Sequence, residues 1–406
     1  MENIFLGKHQ KNKFGIIEWN KMKKEAGEVM EELGFSINLY IPAIELSVAE
    51  QKIVEICRAL IQKPDIIVLD EPTATLSKEE VEKFLKLIRK LRNNGNTIIF
   101  ISHRIKEVLQ IAERITVLKD GNMVGMCPIQ EVNEDKIIQM MIGREIKDIF
   151  PPHHKSSEDE EIFRVDNLSV RTVREEVNDL SFSVFRKKIF GIGGLEGQGQ
   201  RAMLRALFGL EEKKSGEIYI EGKRVIVNNP QQAKRSNIAL IPDDRQREGL
   251  VLLRSVRENL GIATLEQRQS RGVINRNQEN TVLQDITDQL KIKMKNLDQN
   301  ISLLSGGNMQ KVVLGKWFIS KPKVILLIEP TKGVDIATKS QIYFILRDLS
   351  KHGIAIILYA TDMLELIGLC DQVLVLHEGR MTRILKDKEI TEENLMRAAV
   401  GKSQLI

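Results

Sequence analysis

The sequence has few of the features that mark secreted, disulfide-linked or membrane-spanning proteins. Its three cysteines, Cys57, Cys127 and Cys370, are far apart and form no Cys-x-x-Cys pair, which argues against a disulfide or zinc framework. No run approaches the roughly 18 apolar residues of a membrane-spanning helix. The opening stretch, MENIFLGKHQKNK, has no apolar core of the kind a secretory signal needs. We therefore expect a reduced, cytosolic protein that reaches any membrane through a partner.

The charge balance also lacks a strong excess of one sign. The chain has 61 basic and 56 acidic residues among 406, a formal net charge of +5, and no basic block stands out. This composition predicts a mixed, solvated surface and no nucleic-acid partner. Hydrophobic residues make up 42%, so a normal core is expected, and the length predicts two or three domains.

What the sequence does contain is a long internal repeat. The stretch IIVLDEPTATLS at 66–77 returns as VILLIEPTKGVD at 324–335. Other identical residues recur at the same offset of 258 positions, without a gap: Leu46 and Leu304, Ser47 and Ser305, Pro64 and Pro322, Gly95 and Gly353, Gly121 and Gly379. An offset of this size indicates a duplicated domain and not a short-period solenoid.

Both copies follow the same coarse order of elements. The pattern predicts helices at 48–62 and 306–320, strands at 66–70 and 323–328, helices at 78–93 and 336–351, and strands at 97–102 and 354–359. A short helix and a strand close each copy, ending in KDGNMVG and HEGRMTR. Alternating strands and helices favour an α/β fold with a mostly parallel sheet.

The domain boundaries follow from the repeat and from composition. The stretch PPHHKSSEDEE at 151–161 is rich in proline, serine and charge, which is typical of a linker. We therefore predict a first copy at 1–145, a linker at 146–161 and a second copy at 162–406. The pair His153-His154 offers metal ligands, but a solvated linker pair is the favoured interpretation.

A glycine loop follows a predicted strand in the second copy. Gly194, Gly197 and Gly199 in GIGGLEGQGQRAMLRALFG have the spacing of the phosphate-binding loop G-x-x-x-x-G-K-[ST]. Gln200 replaces the lysine of that pattern, and Arg201 replaces the hydroxyl that binds Mg²⁺. By itself the loop is weak evidence, because it also satisfies a dinucleotide fingerprint or a bare structural turn.

A second anion-binding motif follows the glycine loop. Leu304, Ser305, Gly306, Gly307 and Asn308 open a predicted helix, where glycines leave N–H groups and the serine hydroxyl accessible to an anion. A dinucleotide-binding enzyme does not need this motif, so its presence favours a nucleotide-triphosphatase. In the first copy, Leu46 and Ser47 are followed by Val-Ala-Glu, which predicts a poorer cap.

The strand ends carry the candidate catalytic groups. In the first copy, Asp70 is placed to hold Mg²⁺ through water and Glu71 to polarise an attacking water, while His103 follows the next strand and can contact a γ-phosphate. The second copy keeps Glu329 as a candidate catalytic residue. It has Ile328 and Thr361 at the positions of the aspartate and the histidine, so we expect it to hydrolyse poorly.

The position that would match Gly194 in the first copy falls before residue 1 of this sequence. We therefore expect a first domain that is truncated, with residues 1–150 less stable than residues 160–403, because strands 66–70, 97–102 and 114–118 would lose neighbours. We also expect little ATPase activity from the sequence as given.

These motifs resemble the double-domain ATP-binding subunit of bacterial sugar importers of the ABC transporter family. The resemblance covers nearly the whole chain and depends on seven stretches: LSVAEQKIVEICRAL, VLDEPTATLS, ISHR, GLEGQGQRAMLRALFG, IPDDRQREGL, LSGGNMQKVVLGKW and IEPTKGVD. It implies an α/β fold of two tandem ABC-type P-loop NTPase domains. In this family the second loop commonly lacks its lysine, so Gln200 fits the pattern, whereas Ile328 departs from it.

The resemblance further implies a mechanism and partners. ATP and Mg²⁺ would be the cofactors, and closing of two domains on ATP would drive a membrane permease supplied by a periplasmic or surface sugar-binding protein. The competent site would pair the first copy with Ser305, Gly306 and Gly307. The chain would act at the cytoplasmic face of a bacterial plasma membrane. The alternative is a non-catalytic remnant of that subunit with weak or no ATPase activity.

Overall fold

The computed structural model describes residues 1–401 except 36, 74, 75, 77, 103, 120, 143–148, 154–159, 271 and 272. The chain divides into two compact units, Met1–Ile146 and Lys147–Ile406. We call them the first and second unit. The boundary between the units falls after residue 146, whereas the sequence prediction ended the first copy at residue 145 and began the second at residue 162.

The first unit contains five α-helices and four strands among its described residues. The helices are α1 (Trp19–Leu33), α2 (Val48–Leu60), α3 (Lys78–Asn93), α4 (Ile105–Ile111) and α5 (Glu134–Ile142). The strands are β1 (Ile66–Asp70), β2 (Thr97–Ile101), β3 (Arg114–Lys119) and β4 (Asn122–Pro128). β1 and β2 form a parallel pair, and β3 and β4 form a separate antiparallel hairpin.

Helix α3 shows how the sequence defines these elements. Its first turn carries Glu79 and Glu80 and its last turn carries Lys90 and Arg92, which complements the helix dipole at both ends. Its apolar side chains recur at helical spacing and are buried in the core of the first unit: Val81, Phe84, Leu85, Leu87 and Ile88. The predicted bounds of 78–93 are confirmed.

The second unit is larger, and its sheets and helices pack in layers. Its helices are α6 (Gln200–Leu207), α7 (Pro230–Arg235), α8 (Val256–Gly261), α9 (Leu265–Arg268), α10 (Arg276–Gln289), α11 (Gly306–Phe318), α12 (Ile336–Lys351), α13 (Met363–Leu369) and α14 (Glu392–Ala399). Its strands are β5 (Glu161–Arg171), β6 (Glu176–Phe185), β7 (Ile189–Gly194), β8 (Lys213–Ile220), β9 (Lys223–Val225), β10 (Ile238–Ile241), β11 (Gln269–Ser270), β12 (Val273–Ile274), β13 (Val324–Ile328), β14 (Ala355–Tyr359), β15 (Gln372–His377) and β16 (Arg380–Lys386).

Two sheets organise the second unit. The main sheet has the order β10-β13-β14-β7-β15-β16 and is parallel except for β16. An antiparallel sheet of order β6-β5-β8-β9 lies in a second layer. The mostly parallel sheet was predicted, but the antiparallel sheet was not.

The core of the second unit lies on both faces of the main sheet. Successive residues of β13 alternate between two apolar clusters: Ile325 and Leu327 pack with helices α11 and α12, while Val324 and Leu326 pack with the antiparallel sheet and α6. Every residue of β13 is therefore buried, which explains its continuous apolar sequence.

The end of each copy differs from the sequence prediction of one closing strand. Gly121 in KDGNMVG and Gly379 in HEGRMTR lie at the turns of β-hairpins, β3–β4 in the first unit and β15–β16 in the second. Gly121 and Gly379 have φ of 79° and 72°, a left-handed conformation that glycine adopts without strain. A two-strand ending thus replaces the predicted single strand.

The described part of the predicted linker packs against the second unit. The ring of Phe150 stacks on Tyr343 with centroids 4.9 Å apart, and Ser340 Oγ donates to the carbonyl of Ile149 at 3.0 Å. The Nδ1 atom of His153 lies 2.9 Å from a carboxylate oxygen of Asp371. His153 is therefore a hydrogen-bonded group at this surface and not a free linker side chain, while His154 lies outside the described residues.

Across the described part of the chain, we find no helix that combines the length and the apolar character needed to cross a bilayer.

Candidate functional site

The glycine loop connects the end of β7 to the start of α6. Gly194, Gly197 and Gly199 have φ of 132°, 82° and 105°, which are left-handed conformations. A Cβ atom on Gly194 would lie 2.6 Å from the carbonyl oxygen of Leu376, and one on Gly199 would lie 2.8 Å from that of Glu176. Gly194 and Gly199 are therefore required both by backbone conformation and by close packing.

The side chain of Gln200 spans the loop. It is fully buried, and its Nε2 atom donates to the carbonyl of Leu195 at 2.9 Å while its Oε1 atom accepts from the N–H of Gln198 at 3.0 Å. Both ends of the amide are thus bonded to the loop backbone. Gln200 holds the loop closed without the positive charge of a lysine, and it occupies one backbone donor of the loop.

Arg201 is not suited to bind Mg²⁺. Its Nη2 atom lies 3.1 Å from Oδ2 of Asp243, whose side chain is mostly buried. A guanidinium has no acceptor, so it cannot replace the hydroxyl that binds Mg²⁺. Asp243 belongs to the stretch IPDDRQREGL, and sequence reasoning quoted that stretch without assigning a role to this residue.

Glu329 directly follows β13 and lies at the carboxyl edge of the main sheet. Its backbone N–H donates to the carbonyl of Tyr359 at 2.9 Å, and its Oε1 accepts from the N–H of Thr361 at 2.6 Å. Burial raises the pKa of Glu329, and its hydrogen bonds to Thr361 only partly offset this effect. The preceding Ile328 is fully buried in the core, so no metal ligand is available there.

Tyr359 links this strand end to the glycine loop. Burial raises the pKa of its phenol, and the nearby charges of Glu329, Glu196 and Glu175 raise it further, while Arg201 opposes them. Tyr359 is paired with Ile328 on one side and with Ile192 on the other, in parallel strands, so the glycine loop and Glu329 follow strands that end at the same edge of the main sheet. That edge is rich in carboxylates.

The first strand end opens into a cleft of about 740 Å³ that contains both of its carboxylates. Asp70 and Glu71 line it together with the cationic side chains of Lys52 and Arg58. Glu71 donates its N–H to the carbonyl of Ile101 at 2.9 Å, as Glu329 does to Tyr359. Carboxylate oxygens are ligands that Mg²⁺ prefers, and the metal-binding role of Asp70 stays a prediction. His103 lies outside the described residues.

Both glutamates have the same unusual backbone. The φ angles of Glu71 and Glu329 are 45° and 48°, in the left-handed region that costs a non-glycine residue energy. The threonine of each Glu-Pro-Thr turn also repeats one contact, since Thr73 donates to Glu107 and Thr331 to Glu365. The repeated motif therefore encodes a repeated turn that presents a glutamate at the strand end.

The Leu-Ser-Gly-Gly-Asn motif begins helix α11. Ser305 is the N-cap, is exposed, and accepts a hydrogen bond from Asn308 Nδ2 at 2.9 Å, while Leu304 is buried in the core. Gly307 is buried, and a Cβ there would lie 2.6 Å from Thr338. Sequence reasoning assigned both glycines to anion binding, but the second one is needed for packing within the unit.

The corresponding cap of α2 differs in charge. Ser47 and Glu50 form a capping box, in which the Ser47 hydroxyl and N–H each donate to Glu50 Oε2 at 2.8 Å. The hydrogen bonds from the side chain and backbone of Ser47 lower the pKa of Glu50, so this carboxylate is ionised at the cap. Leu46 is half-buried beside it. A negative charge here opposes binding of a second anion.

One residue near the glycine loop was missed by sequence reasoning. Glu175 lies in the turn between β5 and β6, and its Oε2 atom accepts a hydrogen bond from the N–H of Ala202 in α6 at 2.9 Å. No motif contains it, and 27 residues separate the two partners. The pairing of β5 with β6 and the packing of α6 against this sheet bring them together.

Comparison with known proteins finds one family that matches two segments of the chain and relatives that match nearly all of it. The family described as "ABC transporter" matches residues 2–74 and 177–332. The ribose import ATP-binding protein RbsA of Caldanaerobacter subterraneus subsp. tengcongensis is 39% identical over 401 residues, covering 98% of this chain and 80% of that protein. The protein of the same name from Lactococcus lactis subsp. lactis is 40% identical over 402 residues, covering 99% and 80%.

A solved structure supports the fold. The crystal structure of a nucleotide-free ATP-binding cassette from an ABC transporter aligns with a TM-score of 0.51 at 21% identity, covering 58% of this chain and 95% of that one.

Proposed function

The chain belongs to the ABC transporter family of ATP-binding proteins, and from this premise we propose that it energises the import of a sugar through a membrane permease. The relatives reported above are named for ribose import, so ribose is the first sugar to test. Similarity over nearly the whole chain favours this function over the non-catalytic remnant that the sequence left open.

The repeated strand end is the observation that carries the proposal. Each unit holds a glutamate in the left-handed conformation directly after a parallel strand, with its N–H bonded to the neighbouring strand. A strained residue in the same place in two copies is typical of a functional turn. This geometry presents the carboxylates of Glu71 and Glu329 at a sheet edge, which is where a nucleotide binds in open α/β folds.

The first unit supplies the hydrolytic groups in this proposal. Asp70 would hold Mg²⁺, which when bound neutralises phosphate charge and orients the terminal phosphate. Glu71 accepts a proton from the attacking water. His103 would contact the γ-phosphate, and Lys52 and Arg58 add positive charge to the cleft. Among the 406 residues, the first copy contains no glycine loop that matches the one in the second copy.

The second unit binds nucleotide weakly and hydrolyses it slowly. Its loop residues Gly194, Gly197 and Gly199 can direct N–H groups to phosphate oxygens, but Gln200 supplies no charge. Ile328 is buried and offers no metal ligand. Glu329 has neither a metal ligand nor a histidine beside it, so it would catalyse ATP hydrolysis poorly. We therefore assign this unit a binding and structural role.

The permease and a periplasmic or surface sugar-binding protein are the proposed partners, and the cytoplasmic face of the plasma membrane is the proposed location. Helices α1 and α10 are the proposed contacts with the permease. Three apolar side chains in the segment that leads into α1 and at its first residue support this assignment because they are exposed: Phe14, Ile16 and Trp19. A permease loop would cover such side chains.

The test is ATP hydrolysis and ribose uptake by the assembled transporter with matched glutamine variants. We expect Glu71→Gln to reduce both rates by a factor of about 100 or more, which is the contribution typical of a general base. Glu329→Gln should change them less than about threefold, well below a general base's contribution. Equal losses in the two variants would contradict the assignment of hydrolysis to the first unit, and unchanged ribose uptake in Glu71→Gln would contradict the proposed function.

A further inference from the structure

Glu175 is held in place by a tight turn. The N–H of Thr172 donates to the carbonyl of Glu175 at 2.8 Å, and the Thr172 hydroxyl accepts from the N–H of Glu175 at 2.9 Å. The same hydroxyl lies 2.9 Å from the Glu175 carbonyl. Since Arg171 and Glu176 are paired across the strands on either side, the turn has little freedom. The side chain of Glu175 therefore leaves the sheet at a defined position.

That position is the N-terminus of α6. The carboxylate accepts the N–H of Ala202, the third residue of the helix, at 2.9 Å. The first N–H groups of a helix have no acceptor within the helix and attract anions. In a glycine loop that leads into a helix, these are the donors that bind phosphate. Glu175 thus occupies a donor that a nucleotide would use.

Two other anion-attracting groups of this loop are also satisfied by the protein. The N–H of Gln198 donates to the side chain of Gln200 at 3.0 Å, and the guanidinium of Arg201 pairs with Asp243 at 3.1 Å. A polyphosphate must therefore displace or coexist with groups of the chain itself. Of these groups, Glu175 is the one whose negative charge directly opposes a phosphate at the helix N-terminus.

We propose that Glu175 sets the nucleotide affinity of the second glycine loop by competing, as a tethered carboxylate, with the polyphosphate for the N-terminus of α6. The inference rests on the proposed nucleotide-binding function of this loop and names Glu175 as the residue that limits its affinity for nucleotide. Binding requires the carboxylate to leave Ala202 or to lie beside the phosphate. Either change costs free energy, which lowers affinity.

The experiment measures binding of ADP and of inorganic pyrophosphate to the full chain in the absence of Mg²⁺. The variant is Glu175→Gln, which keeps the size and removes the charge. Loss of a charge-assisted contact at a helix N-terminus predicts a dissociation constant about tenfold lower than that of the wild type. Glu176→Gln is the matched control, because its side chain pairs with Lys214 at 3.3 Å on the surface.

Hydrogen exchange of the amides of α6 locates the effect. Without ligand, the Ala202 amide should exchange faster in Glu175→Gln than in the wild type, and ADP should restore its protection. A second variant, Glu175→Asp, keeps the charge but shortens the side chain by one methylene, so an intermediate affinity is expected. A purely structural cap would instead raise exchange in both variants without tightening ligand binding.

Three results would overturn the inference: equal dissociation constants for wild type and Glu175→Gln, including undetectable binding in both; an equal gain in Glu176→Gln; or tighter binding without protection of α6. The assay involves neither hydrolysis nor transport. Failure of the importer function and failure of this inference are therefore separate outcomes.

Discussion

The same pair of parallel strands is exposed in one unit and buried in the other. Strands β1 and β2 pair in the same register as β13 and β14, with Ile66 opposite Thr97 and Val324 opposite Ala355. Yet Ile66 is 60% exposed, whereas Val324 is completely buried. Similar apolar residues in equal register thus have opposite environments, so the strand sequence alone does not determine burial.

The second layer makes the difference. In the second unit the antiparallel sheet and α6 cover this face of the main sheet, and Leu326 packs in one cluster with Phe182 and Leu204. Strand β7 also lies between β14 and β15. In the described part of the first unit, β1–β2 and β3–β4 form two separate sheets. A strand that is apolar on both faces is therefore stabilised only where both faces are covered.

The largest effect is expected from truncating matched residues of this face. Leu326→Ala should lower the free energy of unfolding of the second unit by about 2–5 kcal/mol, because it removes buried methyl groups and leaves a cavity. Val68→Ala should lower that of the first unit by less than about 0.5 kcal/mol, since Val68 is 60% exposed.

The two tryptophans allow these losses to be measured separately. Trp19 lies in the first unit and Trp317 in the second, so urea unfolding followed by fluorescence in Trp19→Phe and Trp317→Phe backgrounds reports one unit each. If Val68→Ala costs as much as Leu326→Ala, then the β1–β2 face is covered in the protein and the comparison fails.

The next largest effect is on how the free energy of unfolding of each unit depends on pH. It concerns a second pair of matched residues, Lys316 and Arg58. Burial lowers the pKa of Lys316 to about 8 from 10.5, and its ammonium donates to the carbonyl of Gly249 at 2.7 Å. Because the folded pKa is the lower one, the unfolded chain binds more protons between these values. The free energy of unfolding therefore rises with pH across this window. The matching residue of the first unit is Arg58, which serves as the comparison position.

The variant that isolates this effect is Lys316→Met. Between pH 8 and 10, the wild type should gain about 2 kcal/mol of stability in the second unit relative to this variant. Arg58→Met should leave the pH dependence of the first unit unchanged. A parallel pH dependence of wild type and Lys316→Met would show that Lys316 is not desolvated in the folded protein.

The comparison also shows what sequence could and could not predict. The bounds of β1 and α3 followed from apolar periodicity and charged helix ends, which are local signals. The strand-end position of the two glutamates and the glycine loop followed from motif spacing, whereas the left-handed backbone of the glutamates was not predicted. The contact of Glu175 with Ala202 was not, since it depends on a turn, a strand pairing and a helix that are distant in sequence.

Other differences have the same physical origin. Gly307 was assigned to anion binding because of its motif, but its environment is set by Thr338 in another helix. The side chain that replaces a lysine, Gln200, could be named from sequence, whereas its bonds to Leu195 and Gln198 depend on loop geometry. Motif spacing thus located the glycine loop and the strand-end glutamates along the chain, and long-range packing determines which hydrogen bonds their side chains make.

The smallest expected effect is on local opening of the two strand pairs. Because β1 and β2 have one exposed face and fewer neighbouring strands among the residues that the structure describes, they should open more easily than β13 and β14. Their amides should exchange at least about tenfold faster, which corresponds to about 1.4 kcal/mol. Hydrogen exchange with peptides covering 66–70 and 324–328 in the same sample measures this directly. Equal protection would mean that helix packing on the buried face, through Ile67 and Leu69, is sufficient to hold the first pair as firmly as the second.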